Sequence, residues 1–349
     1  MLNILVMGAG AIGCFVGGSL AAQGHQVTLV GRPSLMERIA ATGLTIRWPG
    51  KSKQTVFPKT ETTITALTTT YDFILITVKA PDTAATVKQL ARSIQPTEQT
   101  YLVSLQNGIG NEEQLADHFS ARQVIAGTIT IPIQVTEPGV IEVSKAKGGL
   151  GLAPFGGSPP VGELADALNR AGLVTETYVD YRAMKWSKLM LNIVNNASSA
   201  ILDEPPAQII ACTDLFDLEI EALRECVRVM KAQAIDAVAL PGYPVNWLAR
   251  LVGAWWLPRP VTRAILRPFL RSGRGAKMPS LQIDLAAGRA TSEIGVLNGA
   301  IVAAGQQYGL ATPVNRALTD ILEKLVSKQL RWADYQHQPE KLIAAAIGL

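Results

Sequence analysis

Leu2-Asn3-Ile4-Leu5-Val6-Met7-Gly8-Ala9-Gly10-Ala11-Ile12-Gly13 opens the chain with a mostly apolar run that ends in glycines spaced G-x-G-x-x-G. Leu2–Met7 reads as a strand, Ala11–Gln23 as a helix and Gln26–Val30 as a second strand, so the glycines sit at a strand-to-helix turn inside a strand–helix–strand unit. In such a unit the first glycine makes the tight turn, the second lets a pyrophosphate approach the backbone, and the third lets helix and strand pack closely. The helix start, at Ala11 and Ile12, offers unpaired N–H groups and a partial positive charge. Gly8, Gly10, Ala11, Ile12 and Gly13 are therefore the candidate dinucleotide-binding residues. A glycine-rich structural turn is the competing explanation, and the strand–turn–helix context argues against it.

The end of the second strand discriminates between cofactors. An NAD enzyme places a carboxylate there to accept from the ribose 2′-hydroxyl. This chain has Val30-Gly31-Arg32-Pro33-Ser34, with no acid before Glu37. The planar fork of Arg32 suits a 2′-phosphate, and Ser34 can add a hydroxyl, so NADP(H) is the expected cofactor. An arginine that merely faces solvent is the alternative.

Composition bounds the rest. A length of 349 residues suits two domains, and 48% hydrophobic against 17% charged residues supplies two cores. The net charge of +4 is spread without one long basic run, which gives no support to a nucleic-acid groove. Cys14, Cys212 and Cys226, like His25, His118 and His337, are too dispersed for a disulfide framework or a metal site, and a reducing, cytoplasmic setting is expected. Residues 1–31 carry no Asp, Glu, Lys or Arg. No basic segment precedes their apolar run and glycines interrupt it, so a buried strand, turn and helix explain it better than an export signal or membrane span.

Residues 1–178 alternate short apolar runs with helical stretches, as a parallel sheet covered on both faces requires. Phe73–Val78 and Thr100–Leu105 read as strands, each followed by a helix, at Pro81–Ile94 and Asn111–Phe119. Val124–Ile133 and Val140–Val143 read as an antiparallel pair closing the sheet. From about Arg182 the pattern is helical, with long helices expected at Met184–Ile201, Leu215–Val238, Ser280–Tyr308 and Val314–Lys328. The stretch 241–279 reads as irregular because it holds six of the twenty prolines, together with Trp247, Trp255 and Trp256. The expected architecture is an α/β Rossmann domain, mostly of parallel strands, over residues 1–180, followed by an all-α domain over 181–349.

Within the first of those long helices, a spacing of ~100° per residue gathers Lys188, Asn192, Asn195, Asn196 and Ser199 on one stripe beside apolar Leu189, Ile193 and Ala200. Buried amides need partners, so the stripe is either a site or a seam of interhelical hydrogen bonds. Lys185 lies about 60° round the helix from Lys188 and competes with it for any catalytic role.

Taken in order, the glycine turn, Arg32, Lys79, Gln106-Asn107-Gly108, the Lys188-Leu-x-x-Asn192-x-x-x-Asn196 helix, Ser280-x-x-x-Asp284, and Glu293 with Asn298-Gly299 resemble the ketopantoate reductase family, the 2-dehydropantoate 2-reductases. The resemblance runs from Asn3 to about Asn315. It implies hydride delivery from NADPH to the ketone of 2-dehydropantoate in a cleft between the domains. Lys188 would be the general acid and Glu293 the carboxylate that orients substrate or lysine. Asn192 and Asn196 would be substrate-binding amides and Ser280 the hydroxyl near the substrate carboxylate. Asn107 would lie near the nicotinamide, and Lys79 near cofactor and substrate. The implied partner is a small 2-oxoacid, with no membrane span, and a homodimer is compatible with the pattern.

Two departures from the family pattern stand out. Gly288-Arg289-Ala290-Thr291-Ser292-Glu293 is one residue longer than usual before its glutamate, and a bulge or helix break at Gly288 is expected to absorb it. The stretch 241–279 is longer and more basic, with Arg250, Arg259, Arg263, Arg267, Arg271 and Arg274 among Trp and Leu. A membrane surface, a partner or an extended helical hairpin each accounts for that, and a structural or dimer-related insertion is the reading adopted. Three rival functions remain: reduction of another branched or aromatic 2-oxoacid, a non-catalytic NADP sensor, and a phosphosugar or 3-hydroxyacid dehydrogenase.

Overall fold

The structure, a computed structural model, describes residues 1–64, 70–93, 99–274 and 277–347, without the side chains of 269, 271–274 and 347. Ile94, at the end of an expected helix, and the side chains of Arg271 and Arg274 lie outside the described residues. The chain forms two compact units. The first comprises Met1–Gln106, Gly110–Lys185 and Leu240–Tyr243, and the second Asn107–Ile109, Trp186–Ala239 and Pro244–Leu349.

The first unit is built on strands β1 (Asn3–Met7), β2 (Gln26–Val30), β3 (Leu44–Arg47), β4 (Gln54–Val56), β5 (Lys59–Glu61), β6 (Phe73–Ile76), β7 (Tyr101–Ser104), β8 (Val124–Ile129), β9 (Ile133–Glu137), β10 (Val140–Val143), β11 (Leu150–Pro154) and β12 (Thr175–Thr177). Eight of them form one sheet in the order β12-β11-β8-β7-β6-β1-β2-β5, parallel throughout except where β8 meets β11. The strand order reverses direction between β1 and β6. A doubly wound sheet binds its ligand outside the carboxyl ends of the strands at that switch. Burial on both faces dictates the composition of these strands. In β1, Ile4 and Val6 enter one core with Phe73 and Leu75, while Leu5 and Met7 enter the opposite core with Ile74 and Ile76.

The expected antiparallel partner of the 124–133 region is corrected. The strand β10 does not close the main sheet; it pairs with β9 and β3 in a separate sheet ordered β4-β3-β10-β9. The main sheet is closed instead by β11 and β12, which the sequence reading does not contain. Helix α1 (Ala11–Ala21) touches both β2 of the main sheet and β3 and β9 of the small one. A methyl at Gly17 would lie 2.8 Å from Leu29, and one at Gly18 2.8 Å from Leu44. That two-sided enclosure explains why residues 1–31 carry no charge. Helices α2 (Pro33–Thr42), α3 (Thr83–Ser93), α4 (Asn111–Ala116) and α5 (Val161–Arg170) complete this unit, and α6 (Tyr181–Ile193) begins in it.

In the second unit, α7 (Asn196–Leu202), α8 (Pro206–Ala211), α9 (Thr213–Ala232), α10 (Val245–Val252), α11 (Arg259–Arg274), α12 (Ser280–Ala286), α13 (Asn298–Gln307), α14 (Pro313–Val326) and α15 (Pro339–Ile347) follow. The middle of the bundle is α9, buried along most of its circumference and in contact with α8, α10, α11, α13, α14 and α15. The expected helices are shorter than periodicity implied. Met184–Ile201 is broken between α6 and α7 at Asn195, which adopts a left-handed φ of 53°. Ser280–Tyr308 is broken after α12, and α9 stops before Ala234, which also has positive φ. Region 241–279 is corrected in the opposite sense: most of it is helical. Pro244 caps α10, and Pro260 falls in the first turn of α11, where a missing N–H costs nothing.

Candidate active site

The glycine turn is held by its neighbours more than by its own sequence. The N–H groups of Gly8 and Ala9 both donate to Val30 O, at 3.1 and 3.0 Å, and the Thr77 hydroxyl donates to Met7 O and Gly8 O. Gly8 has φ +106°, and a methyl there would meet Val78 N at 2.7 Å, so only glycine fits. At Gly13 a methyl would strike Gly8 O at 2.2 Å. Gly10 differs: a methyl there would meet nothing within 4 Å, and the residue is exposed. No protein group needs the missing side chain at Gly10. The space it leaves lies at the start of α1, where the Ala11 and Ile12 N–H groups have no acceptor one turn back. These residues fit a dinucleotide pyrophosphate.

Arg32 is exposed at the carboxyl end of β2, immediately before α2. Glu61, in register with Val30 on β5, sits 3.1 Å from the Lys59 ammonium, so that acid already has a cation. Lys79 is half-buried after β6, at the head of a 3-10 turn over Ala80–Asp82. Its loop is pinned by Gln106, whose amide donates to Val78 O at 2.9 Å and to Thr83 Oγ1 at 2.7 Å. Thr77 and Gln106 thus shape the carboxyl end of the sheet, through contacts that no local sequence pattern announces.

In the second unit the break at Asn195 reorganises the polar stripe. The Asn195 N–H donates to Glu219 Oε2 at 2.6 Å, and the Ser198 hydroxyl donates to the other oxygen of the same buried carboxylate. Asn tolerates left-handed backbone, and Glu219 takes up the Asn195 N–H at the break together with the Ser198 hydroxyl. Asn195 therefore leaves the stripe, with its side-chain oxygen and the Ser199 hydroxyl buried and unpaired among the described residues. Asn196 turns toward α12 and accepts the Leu281 N–H at 3.3 Å. That bond sets Asn196 beside the start of α12, where Ser280 is exposed.

Asn192 Nδ2 donates to Asn107 Oδ1 at 3.1 Å. The Asn107–Ile109 turn rests in turn on the 3-10 segment Ile294–Val296, for Ile109 N donates to Val296 O at 3.1 Å and a methyl at Gly108 would lie 2.6 Å from the Val296 side chain. Glu293, buried, heads that segment. Asn107, Asn192 and the Glu293 turn are therefore neighbours, although 186 positions separate the first from the last. Lys188 is half-buried one helical turn before Asn192, on the same face. A helix break is present at Gly288, whose φ is +65° just past the end of α12, and Arg289 N bonds back to Asp284 O.

The competing lysine is occupied. Lys185 is only 4% exposed. Its ammonium lies 2.7 Å from Glu112 Oε1 and donates to Gln106 O at 2.8 Å. Next to this pair, burial raises the carboxyl of Glu113 above its usual range while the Tyr181 hydroxyl donates to it. The sequence signal for this pairing was weak, since adjacent acids at a helix start are usually exposed dipole partners. Among the described residues no His, Cys, Asp or Glu group could hold a metal, and no helix is long and apolar enough to cross a membrane. Cys14 is buried, with its thiol pushed up to about 12 by desolvation, so no reactive thiolate arises there.

Comparison with known proteins gives the same outline. Residues 4–157 match the family model described as ketopantoate reductase PanE/ApbA, and residues 180–326 match its C-terminal counterpart. A 2-dehydropantoate 2-reductase of Halobacterium salinarum is 28% identical over 325 residues, covering 92% of this chain and 98% of its own. Among solved structures, a PanE/ApbA family ketopantoate reductase from Ralstonia eutropha JMP134 superposes with a TM-score of 0.77 at 26% identity, over 94% of this chain and 99% of the other. A D-mandelate dehydrogenase, solved with NADH and anilino(oxo)acetate, shares the fold at a TM-score of 0.77 and 22% identity, over 94% of this chain and 99% of its own.

Proposed function

The chain belongs to the ketopantoate reductase PanE/ApbA family of oxidoreductases, and from that premise we propose that it reduces 2-dehydropantoate to pantoate with NADPH, Lys188 serving as general acid. The observation that carries this reading is the Asn192–Asn107 hydrogen bond. It joins two parts of the second unit that lie 85 positions apart in the chain, next to the lysine one turn away.

A dihydronicotinamide, when bound, would supply the hydride that reduces the ketone carbon. Negative charge then develops on the ketone oxygen, and the Lys188 ammonium stabilises it and passes a proton to it. Glu293 orients that lysine or the substrate. Asn192 and Asn196 hold the substrate through neutral amides, which add no charge to compete with the lysine, and Ser280 meets the carboxylate. Gly8, Gly10, Ala11, Ile12 and Gly13 would hold the pyrophosphate, Asn107 would serve the nicotinamide, and Lys79 would serve the cofactor. The cysteines, all unpaired, accord with a cytoplasmic enzyme.

NADPH oxidation followed at 340 nm with 2-dehydropantoate, and with branched and aromatic 2-oxoacids alongside it, tests the substrate. The fastest kcat/KM is expected for 2-dehydropantoate. Faster turnover of an aromatic 2-oxoacid moves the assignment to the first rival, and tight NADPH binding without any oxidation moves it to a sensor. The cofactor choice rests on Arg32. Replacing it with Ala is expected to raise KM for NADPH roughly tenfold or more, because a charge-assisted pair with the 2′-phosphate is lost. KM for NADH should barely move. Equal effects on both cofactors would show that Arg32 does not read the phosphate.

A further inference from the structure

Between Asp236 and Asp284 the chain has no acidic residue and seven cations: Arg250, Arg259, Arg263, Arg267, Arg271, Arg274 and Lys277. This local +7, against +4 for the whole chain, leaves −3 for everything else. The same stretch carries Trp255 and Trp256, 84% and 70% exposed in the turn before α11, and Trp247, exposed on α10.

One side of α11 is accounted for. Thr262, Leu266 and Leu270 are buried, and the helix packs on α8 and α9. Arg263 reaches Asp217 at 3.5 Å, and Arg267 stacks over the Phe216 ring at 5.4 Å, so these cations turn inward. The outward stripe is Val261, Ala264, Ile265 and Pro268, all exposed and all apolar. Spacings of three and four residues put them on one face. Exposed Arg250 and Arg259 flank this face, and neither has an ion-pair partner among the described residues. Behind Trp256 lies a cavity of about 620 Å³ with Val227 and Met230 among its apolar walls and Lys231, Arg250 and Asp236 among its charged ones.

We propose that the α10–α11 segment docks this protein reversibly on a bilayer containing anionic phospholipid, with Trp255, Trp256 and the Val261–Ile265 face entering the headgroup boundary. Tryptophans at the interface, an apolar helix face and a surrounding excess of Arg are what such a surface binds. A second copy fits less well, because a two-fold contact sets each patch against itself and brings two faces of like charge, flanked by Arg250 and Arg259, together. Nucleic acid also fits less well. Its phosphates need cations on the outer face, and two arginines of α11 are committed inward while the exposed positions described from Val261 to Pro268 are apolar.

The full-length protein is sedimented with phosphatidylcholine vesicles, with and without phosphatidylserine, at low and high salt. Binding should require phosphatidylserine, weaken with salt, and shift the tryptophan emission to the blue. In the double variant Trp255→Ser, Trp256→Ser the partition coefficient should fall about tenfold or more, because interfacial binding scales with the apolar area inserted. A second pair, Val261→Ser with Ile265→Ser, should act alike. Both variants should keep NADPH oxidation in solution, which shows that they fold. Absence of binding by the wild type, equal binding by the tryptophan variant, or tighter binding to duplex DNA than to the vesicles would overturn the proposal. So would a wild-type dimer that the tryptophan change dissociates while vesicle binding is absent.

Discussion

Lys188→Ala is expected to lower kcat by roughly 10²–10⁴-fold, the usual loss when a positioned general acid is removed. In barrier terms that is about 3–5.5 kcal/mol. The variant should still bind NADPH, since the glycine turn and Arg32 belong to the first unit and none of their bonds involves Lys188. Lys185 cannot replace it, because its ammonium is committed to Glu112, Gln106 O and Gly127 O. Single-turnover NADPH oxidation, with cofactor affinity from fluorescence titration, separates the two effects. A variant with near-normal turnover would remove Lys188 from the chemistry and leave the amides as mere binders.

The second large effect concerns stability. Glu225 is fully buried on α9 and accepts from Val314 N and Asn315 N at 2.9 Å each and from Asn315 Nδ2 at 2.6 Å, which caps the first turn of α14. Glu225→Ala would orphan two buried backbone N–H groups and leave the Asn315 amide with its Ala222 O bond alone, three lost hydrogen bonds in all. At about 1–3 kcal/mol for each, less the relief of desolvating a carboxylate, a loss on the order of 4 kcal/mol is expected in urea unfolding. That is a large part of the 5–15 kcal/mol, or about that, available to a folded domain. Burial is the main influence on this carboxyl and holds it above its usual range. A raised carboxyl favours folding while protonated, and that contribution fades as pH rises through the shifted value. The advantage of wild type over Glu225→Gln should therefore shrink from mildly acidic to neutral pH. An alanine variant as stable as wild type would mean that water replaces the carboxylate at the cap.

What the sequence made legible follows from how local each signal is. The βαβ turn, the cofactor glycines and the burial of both sheet faces are written in adjacent residues, and β2 falls at the expected positions. The lysine–asparagine helix was recognisable by its spacing and its resemblance. Its break at Asn195 was not, because the cause is Glu219, which lies 24 residues away and supplies acceptors for Asn195 N and Ser198. The same holds for β10, which pairs with a strand 95 positions earlier: Ile141 meets Ile46. Prolines misled over 241–279 because sequence alone does not show which of them begin helices. A buried Lys185–Glu112 pair was equally invisible, since nothing near either residue announces the other.

That pair also fixes the phase of α6. Lys185 enters the helix with its head anchored on three atoms, so the helix cannot roll about its axis without breaking a buried ion contact. Within α6, Lys188 and Asn192 follow at the angular spacing that about 100° per residue sets. One residue inserted or deleted between the two lysines would swing everything downstream by about 100°. The interval between an inert lysine and its neighbour is thus constrained as tightly as the identity of either.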